Sequence, residues 1–105
     1  MKQPNMADIM KQAKRMQAEM QRVQDELKEE RVHVSAGGGA VKVTMTGELV
    51  VDSVSIDPEA VDIDDIAMLE DLITAAMNEA IREAQDLASR KMSAVTGGMG
   101  IPGLM

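Results

Sequence analysis

The stretch MADIMKQAKRMQAEMQRVQDEL, residues 6–27, decides how this chain is read. Its apolar side chains fall at Met6, Ile9, Ala13, Met16, Met20, Val23 and Leu27, alternately three and four residues apart. That spacing predicts one amphipathic helix with an unbroken heptad stripe, which needs a helical partner. Lys11, Lys14, Arg15 and Arg22 share the same stretch. At the helical turn of ~100° per residue, Arg22, Arg15 and Lys14 lie at about 20°, 40° and 300° from Lys11, with the stripe centred near 170°. One helix thus carries a face for packing and, opposite it, a face for an anion. Asn5 is placed to cap its start, just after Pro4, and the pattern runs to about Glu30. The last turns, from Asp25 to Glu30, are acidic. Acids at a helix C-terminus oppose the helix dipole, so this charge is either solvated or has another use.

Working outward, the period changes from helical to alternating. Val32 and Val34 alternate with His33 and Ser35, and Val41, Val43 and Met45 alternate with Lys42, Thr44 and Thr46. Gly37-Gly38-Gly39 separates the two runs, and Gly47-Glu48 makes a tight reversal into a third strand, Leu49 to Asp57. Val50, Val51 and Asp52 break the alternation, which predicts a bulge or register irregularity there. Asp57-Pro58-Glu59 ends the sheet. A final helix runs from about Asp65 to Val95, with Ile66, Leu69, Ile73, Met77, Ala80, Ala84, Leu87 and Ala88 on its apolar face, and Gly97-Gly98 as its stop. The expected fold is α+β, a helix, a three-stranded antiparallel sheet and a helix. Residues 1–96 form one domain, and residues 97–105 form a flexible Gly/Met/Pro tail.

Composition narrows the function. The 105 residues suit one small domain, and 45% are hydrophobic. None is aromatic, however, and 11 are Met. A small core of short aliphatics and Met is marginal alone, which points to oligomerisation. The packing residues are expected to be Met16, Met20, Val23 and Leu27 on the first helix, with Val41, Val43 and Met45 in the sheet. The absence of Cys removes disulfides, thiol nucleophiles and Cys-based zinc sites. No signal peptide or membrane span is read, so the expected compartment is the cytoplasm, without a membrane partner.

The formal net charge is -7, yet residues 1–22 hold five Lys/Arg against two Asp/Glu. An acidic chain with a cationic first helix argues against indiscriminate duplex binding by a monomer. Two such stripes in a two-fold dimer could grip one duplex. Arg82, Arg90 and Lys91 add positive charge late in the second helix. Without aromatics, base stacking is excluded as a mechanism, which argues against single-stranded binding.

Other candidates read as structural. His33, the one histidine, points outward from a strand as a solvated or interface side chain. The triple glycine follows a strand but lacks the Lys-Ser/Thr and the helix of a phosphate loop. It reads as a hairpin connection, with close backbone approach to a partner as the alternative. Asp57, Glu59, Asp62, Asp64 and Asp65 lack the glycine of a calcium loop and read as caps. No catalytic set, metal site, cofactor or small-molecule substrate is expected.

Several stretches, taken together and in order, resemble the YbaB/EbfC nucleoid-associated family. They are residues 6–27, GGGAVKVTMTGE (37–48), VSIDPE (54–59), LEDLITAAMNEAIREAQ (69–85) and the Met-Ser-x-x-Thr-Gly-Gly-Met pattern at 92–99. The resemblance covers nearly the whole chain. It implies a tweezer-like homodimer that assembles through its sheet and projects its long helices as arms. It further implies a non-enzymatic protein of the cytoplasm and nucleoid that binds double-stranded DNA and alters its conformation. By segment, the arms correspond to Lys11–Arg22 and Arg82–Lys91. The DNA-contact candidates are therefore Lys11, Lys14, Arg15, Arg22, Arg82, Arg90 and Lys91, acting mainly on phosphates. The alternative is a protein-interaction or chaperone-like adaptor that uses Met-rich helical surfaces.

Overall fold

The computed structural model describes residues 5–98. The element order is α1 (Met6–Glu29), β1 (Arg31–Ala36), β2 (Val41–Thr46), β3 (Val51–Ile56) and α2 (Ile66–Gly98). The three strands form one antiparallel sheet in the order β1-β2-β3. This is the helix–sheet–helix architecture that the change of period predicts. Asn5 caps α1, its side-chain oxygen accepting the Asp8 N–H at 2.8 Å. That bond satisfies one of the unpaired amides of the first turn.

Register explains the faces of the sheet. Val34 pairs with Val43 and Ala36 with Val41, while Val43 and Val41 pair onward with Val54 and Ile56. All six side chains therefore share one face. The irregularity falls at Asp52, since Thr44 pairs with Ser53 but Met45 with Val51. The third strand is shorter than its composition suggests. It begins at Val51 because Leu49 takes a left-handed φ of 68° in the turn from β2. That conformation is rare for a residue with a Cβ. Thr46 holds the turn: its hydroxyl accepts the N–H groups of Glu48 and Val50, and its own N–H donates to the Val50 carbonyl at 2.8 Å.

The triple glycine closes the other hairpin. Gly37, Gly38 and Gly39 all have positive φ, and a Cβ on Gly37 would stand 2.9 Å from Leu72 Cδ1. The close approach made here is to α2 of the same chain. The acidic segment after β3 builds two short 3-10 turns, with the Asp57 and Asp62 side chains accepting the N–H groups of Glu59 and Asp64. Asp65 then accepts from Met68 N–H at the start of α2. Among the described residues no group of His, Asp and Glu is arranged to hold a metal ion.

The core has two parts, and α2 serves both. Its first half covers β1 and β2, where Ala76, Ala80 and Ala84 are fully buried against Val34, Val41, Val43 and Met45. Alanines four residues apart fall on one line of a helix and let its backbone lie close to the sheet. This compensates for the missing aromatics: the space is closed by proximity instead of by large side chains. The second half of α2 continues past the sheet and packs on α1, joining Leu87, Ala88, Met92 and Val95 to Val23 and Leu27. The helix continues through Gly98, so Gly97 and Gly98 belong to its last turn and do not stop it as expected; the rest of the expected tail, residues 99–105, lies outside the described residues. The radius of gyration is 20.5 Å and the extents are 74 × 26 × 16 Å, against about 13 Å for the radius of a compact domain of ~100 residues. Both long helices project.

Enlarging the alanine line is expected to push α2 off the sheet. Ala80→Leu should cost about 1–3 kcal/mol by overpacking, read as a lower urea midpoint with an unchanged slope. Ala75→Leu, on the exposed side of the same helix, should leave the midpoint in place.

Candidate nucleic-acid interface

The candidate interface is built on α1, and its position follows from where the seam is used. Only Val23 and Leu27 are buried. Met16 is half-buried, and Met20, Ile9 and Met6 are progressively more exposed. The C-terminal third of α1 is thus held against α2, and the N-terminal part stands out as an arm tip. Val41, Val43 and Met45 lie in the sheet core, covered by α2.

The structure sorts the seven candidate cations into two groups. Lys11, Lys14 and Arg15 are exposed on the arm tip and form no ion pair among the described residues; Lys11 and Arg15 line a shallow groove with Asp8 and Gln12. Arg90 is also exposed and unpaired among the described residues. The other three are engaged. Arg22 bonds Glu19 at 2.7 Å and also Glu26, and Arg82 bonds Glu79 at 3.0 Å. Lys91 reaches from α2 to α1, meeting Glu26 at 3.0 Å and Glu30 at 2.9 Å.

The Lys91 contact gives the acidic end of α1 its use. Glu26 and Glu30 sit one turn apart on the face that meets α2, so a single ammonium spans both. Glu30 Oε2 is closed off from solvent, and the Lys91 ammonium 2.9 Å away compensates its charge. The hydrogen bond from Lys91, then that from Arg22, holds the Glu26 carboxyl below its ordinary value. Hydrogen bonds to Glu30 and Glu26 raise Lys91, and bonds to Glu19 and Glu26 raise Arg22. The arm is therefore polarised, with free cations at the tip and a neutralised or acidic base. The helix spacing alone reveals the Glu26–Glu30 pair; its partner, 61 residues beyond Glu30 at Lys91, requires knowing that α2 returns antiparallel.

His33 is exposed on the outer sheet face, its Nδ1 3.1 Å from the Thr44 hydroxyl across β1 and β2. Ser35 and Lys42 lie beside it. This patch is far from the arm tip in sequence, and no described contact joins the two.

Fold and charge pattern define an α+β protein whose leading helix leaves the body and carries unpaired cations at its tip. The comparisons agree with that class. Residues 1–99 match the model of the YbaB/EbfC DNA-binding family, and the chain belongs to that family. A nucleoid-associated protein of Acetivibrio thermocellus is 52% identical over 101 residues, covering 95% of this chain and 89% of the relative. One from Alkaliphilus metalliredigens is also 52% identical, covering 96% and 89%. An uncharacterized protein of Helicobacter pylori has a similar crystal structure, with a TM-score of 0.73 over 93% of this chain and 100% of that one. At 15% identity this likeness concerns the fold alone.

The clamp sets an expectation for pH. The Glu26 carboxyl lies below its ordinary 4.5 in the folded state, so its contribution is complete above that value and is lost as pH falls through the lower folded value. Thermal unfolding of the wild-type chain should thus show Tm falling below about pH 4.5. Lys91→Met should lower Tm at pH 7, since it strands Glu30, and should shrink the acid-dependent part of the fall.

Proposed function

We propose that this is a non-enzymatic, nucleoid-associated protein that binds double-stranded DNA as a homodimer and alters its organisation. The observation that carries this reading is the set of unpaired cations, Lys11, Lys14 and Arg15, on a projecting helix of a member of a DNA-binding family. The names of its relatives support a place at the nucleoid, within the cytoplasm. Among the described residues no helix is long and apolar enough to cross a membrane.

Contact is made to phosphates. Lys and Arg on one helical face neutralise backbone charge and fix position on the duplex without reading sequence. Lys11, Lys14 and Arg15 make these contacts, and Arg90 adds to them from α2. Arg22, Arg82 and Lys91 already serve carboxylates of their own chain, so they contribute less. The acidic body repels the duplex, which limits binding to the exposed cations and makes it strongly salt-dependent.

The second copy docks on β3. This strand is an uncovered sheet edge, exposed along its whole length. Val51, Val54 and Ile56 are 42%, 41% and 37% exposed because α2 covers only β1 and β2. An apolar open edge is a pairing surface unless something covers it. Pairing there adds the area that an aromatic-free core lacks and carries one arm on each side of the joint.

Replacing Lys11, Lys14 and Arg15 together with Gln should abolish duplex binding at moderate salt. Replaced singly, each should reduce the slope of log K against log salt by about one, the share of a single phosphate. Arg22→Gln should change the slope much less. Unchanged affinity in the triple variant, measured by fluorescence anisotropy, would remove the tip as the site. Val54→Lys should convert the dimer to monomer in sedimentation velocity, with the far-UV spectrum retained.

A further inference from the structure

Among the described residues, α1 extends beyond the part of α2 that packs on it. Val23 belongs to the cluster with Val95, only three residues before the last described residue of α2. Among the described residues, the stripe from Met20 back to Met6 is covered only at half-buried Met16: Met20 is 39% exposed, Ile9 48% and Met6 73%. These residues continue the heptad register of Val23 and Leu27 without a break. The neighbour that such a surface fits is another helix.

We propose that the bare stripe is a self-pairing surface, on which the arm tips of two different molecules pack antiparallel along residues 6–16. The sequence there is self-complementary in that direction. With Met6 set across from Met16, Ile9 falls across from Ala13, and the two-fold axis repeats both layers. Large thus meets small in the inner layers, as a packed seam requires. The flanking positions, Met10, Gln12 and Gln17, are uncharged, so no like charges meet. The acidic base of each arm, from Glu19 to Glu30, lies beyond the overlap. Lys11, Lys14 and Arg15 occupy the opposite face and stay outward.

This geometry has a functional consequence, which rests on the DNA-binding reading above. Two paired tips present two cation faces pointing in opposite directions. Each can lie along its own duplex, so tip pairing bridges two DNA segments. A seam of about 15 Å built from Met, Ile and Ala is weak in free solution. On DNA, high local concentration strengthens it without any new contact.

The test uses the full chain and the charge-neutral variant Met6→Gln/Ile9→Gln/Met10→Gln. All three positions are exposed, so the thermal midpoint should not move. In sedimentation velocity over rising concentration, the wild-type chain should populate a species of twice the mass of its basal assembly, and the variant should not. In a bridging assay with one tethered and one labelled free duplex, both proteins should load the tethered duplex equally. The wild type should recover the free duplex at least several-fold better. The proposal is overturned if no doubled species forms and bridging is equal, or if the doubled species survives the three substitutions. A doubled species lost in the variant, with no duplex bound by either protein, upholds tip pairing and overturns the DNA reading instead.

Discussion

The packing of Val23 and Leu27 on the last turns of α2 is the constraint on which the rest depends. It is a small contact, four side chains of α2 closing over two of α1. Gly47 completes it from the sheet side, its N–H donating to the carbonyls of Leu27 and Glu30, each at 3.0 Å. A Cβ there would stand 2.6 Å from Leu27 Cδ2 and 3.0 Å from the Leu27 carbonyl oxygen, so the hairpin turn and the helix end can meet only through glycine. This joint sets the direction in which α1 leaves the body, and hence where the cations of its tip stand.

Charge and packing then divide the arm between them. Lys91 draws together Glu26 and Glu30 at the joint, and Arg22 closes on Glu19 and Glu26 one turn higher. Exposed pairs of this kind contribute little stability each. Their larger effect is on the field: they neutralise the cations nearest the body and leave Lys11, Lys14 and Arg15 unmatched. A chain of net charge -7 can therefore present a local anion-binding surface. The balance of the whole chain predicts weak interaction with DNA; the local accounting predicts interaction at one place.

Much of this is legible in the sequence, and the reasons differ by element. The helices and strands follow from periodicity, because burial on one face imposes it. The bulge at Asp52 shows as a break in alternation. The shortened β3 does not, because the left-handed turn residue is Leu49, against the usual preference for glycine. The seam reads as uniform from Met6 to Leu27, yet the structure uses only its end within the chain. Periodicity reports that a face is apolar and is silent on how much of it a partner reaches. The cation candidates likewise look equivalent on a helical wheel. Arg22 has carboxylates three residues before it and four after it, a spacing visible in sequence, whereas the engagement of Lys91 depends on tertiary placement.

The tip of α1, held out by its joint with α2 and free of ion pairs among the described residues, is the surface proposed to meet the duplex. A titration of the isotopically labelled protein with a short duplex, followed by NMR, tests it most directly. Shifts are expected to concentrate from Asp8 to Arg15 and at Arg90 and to fade with added salt, with the sheet core unmoved. Shifts confined to the outer sheet face around His33 and Lys42, with the tip of α1 unaffected, would contradict it.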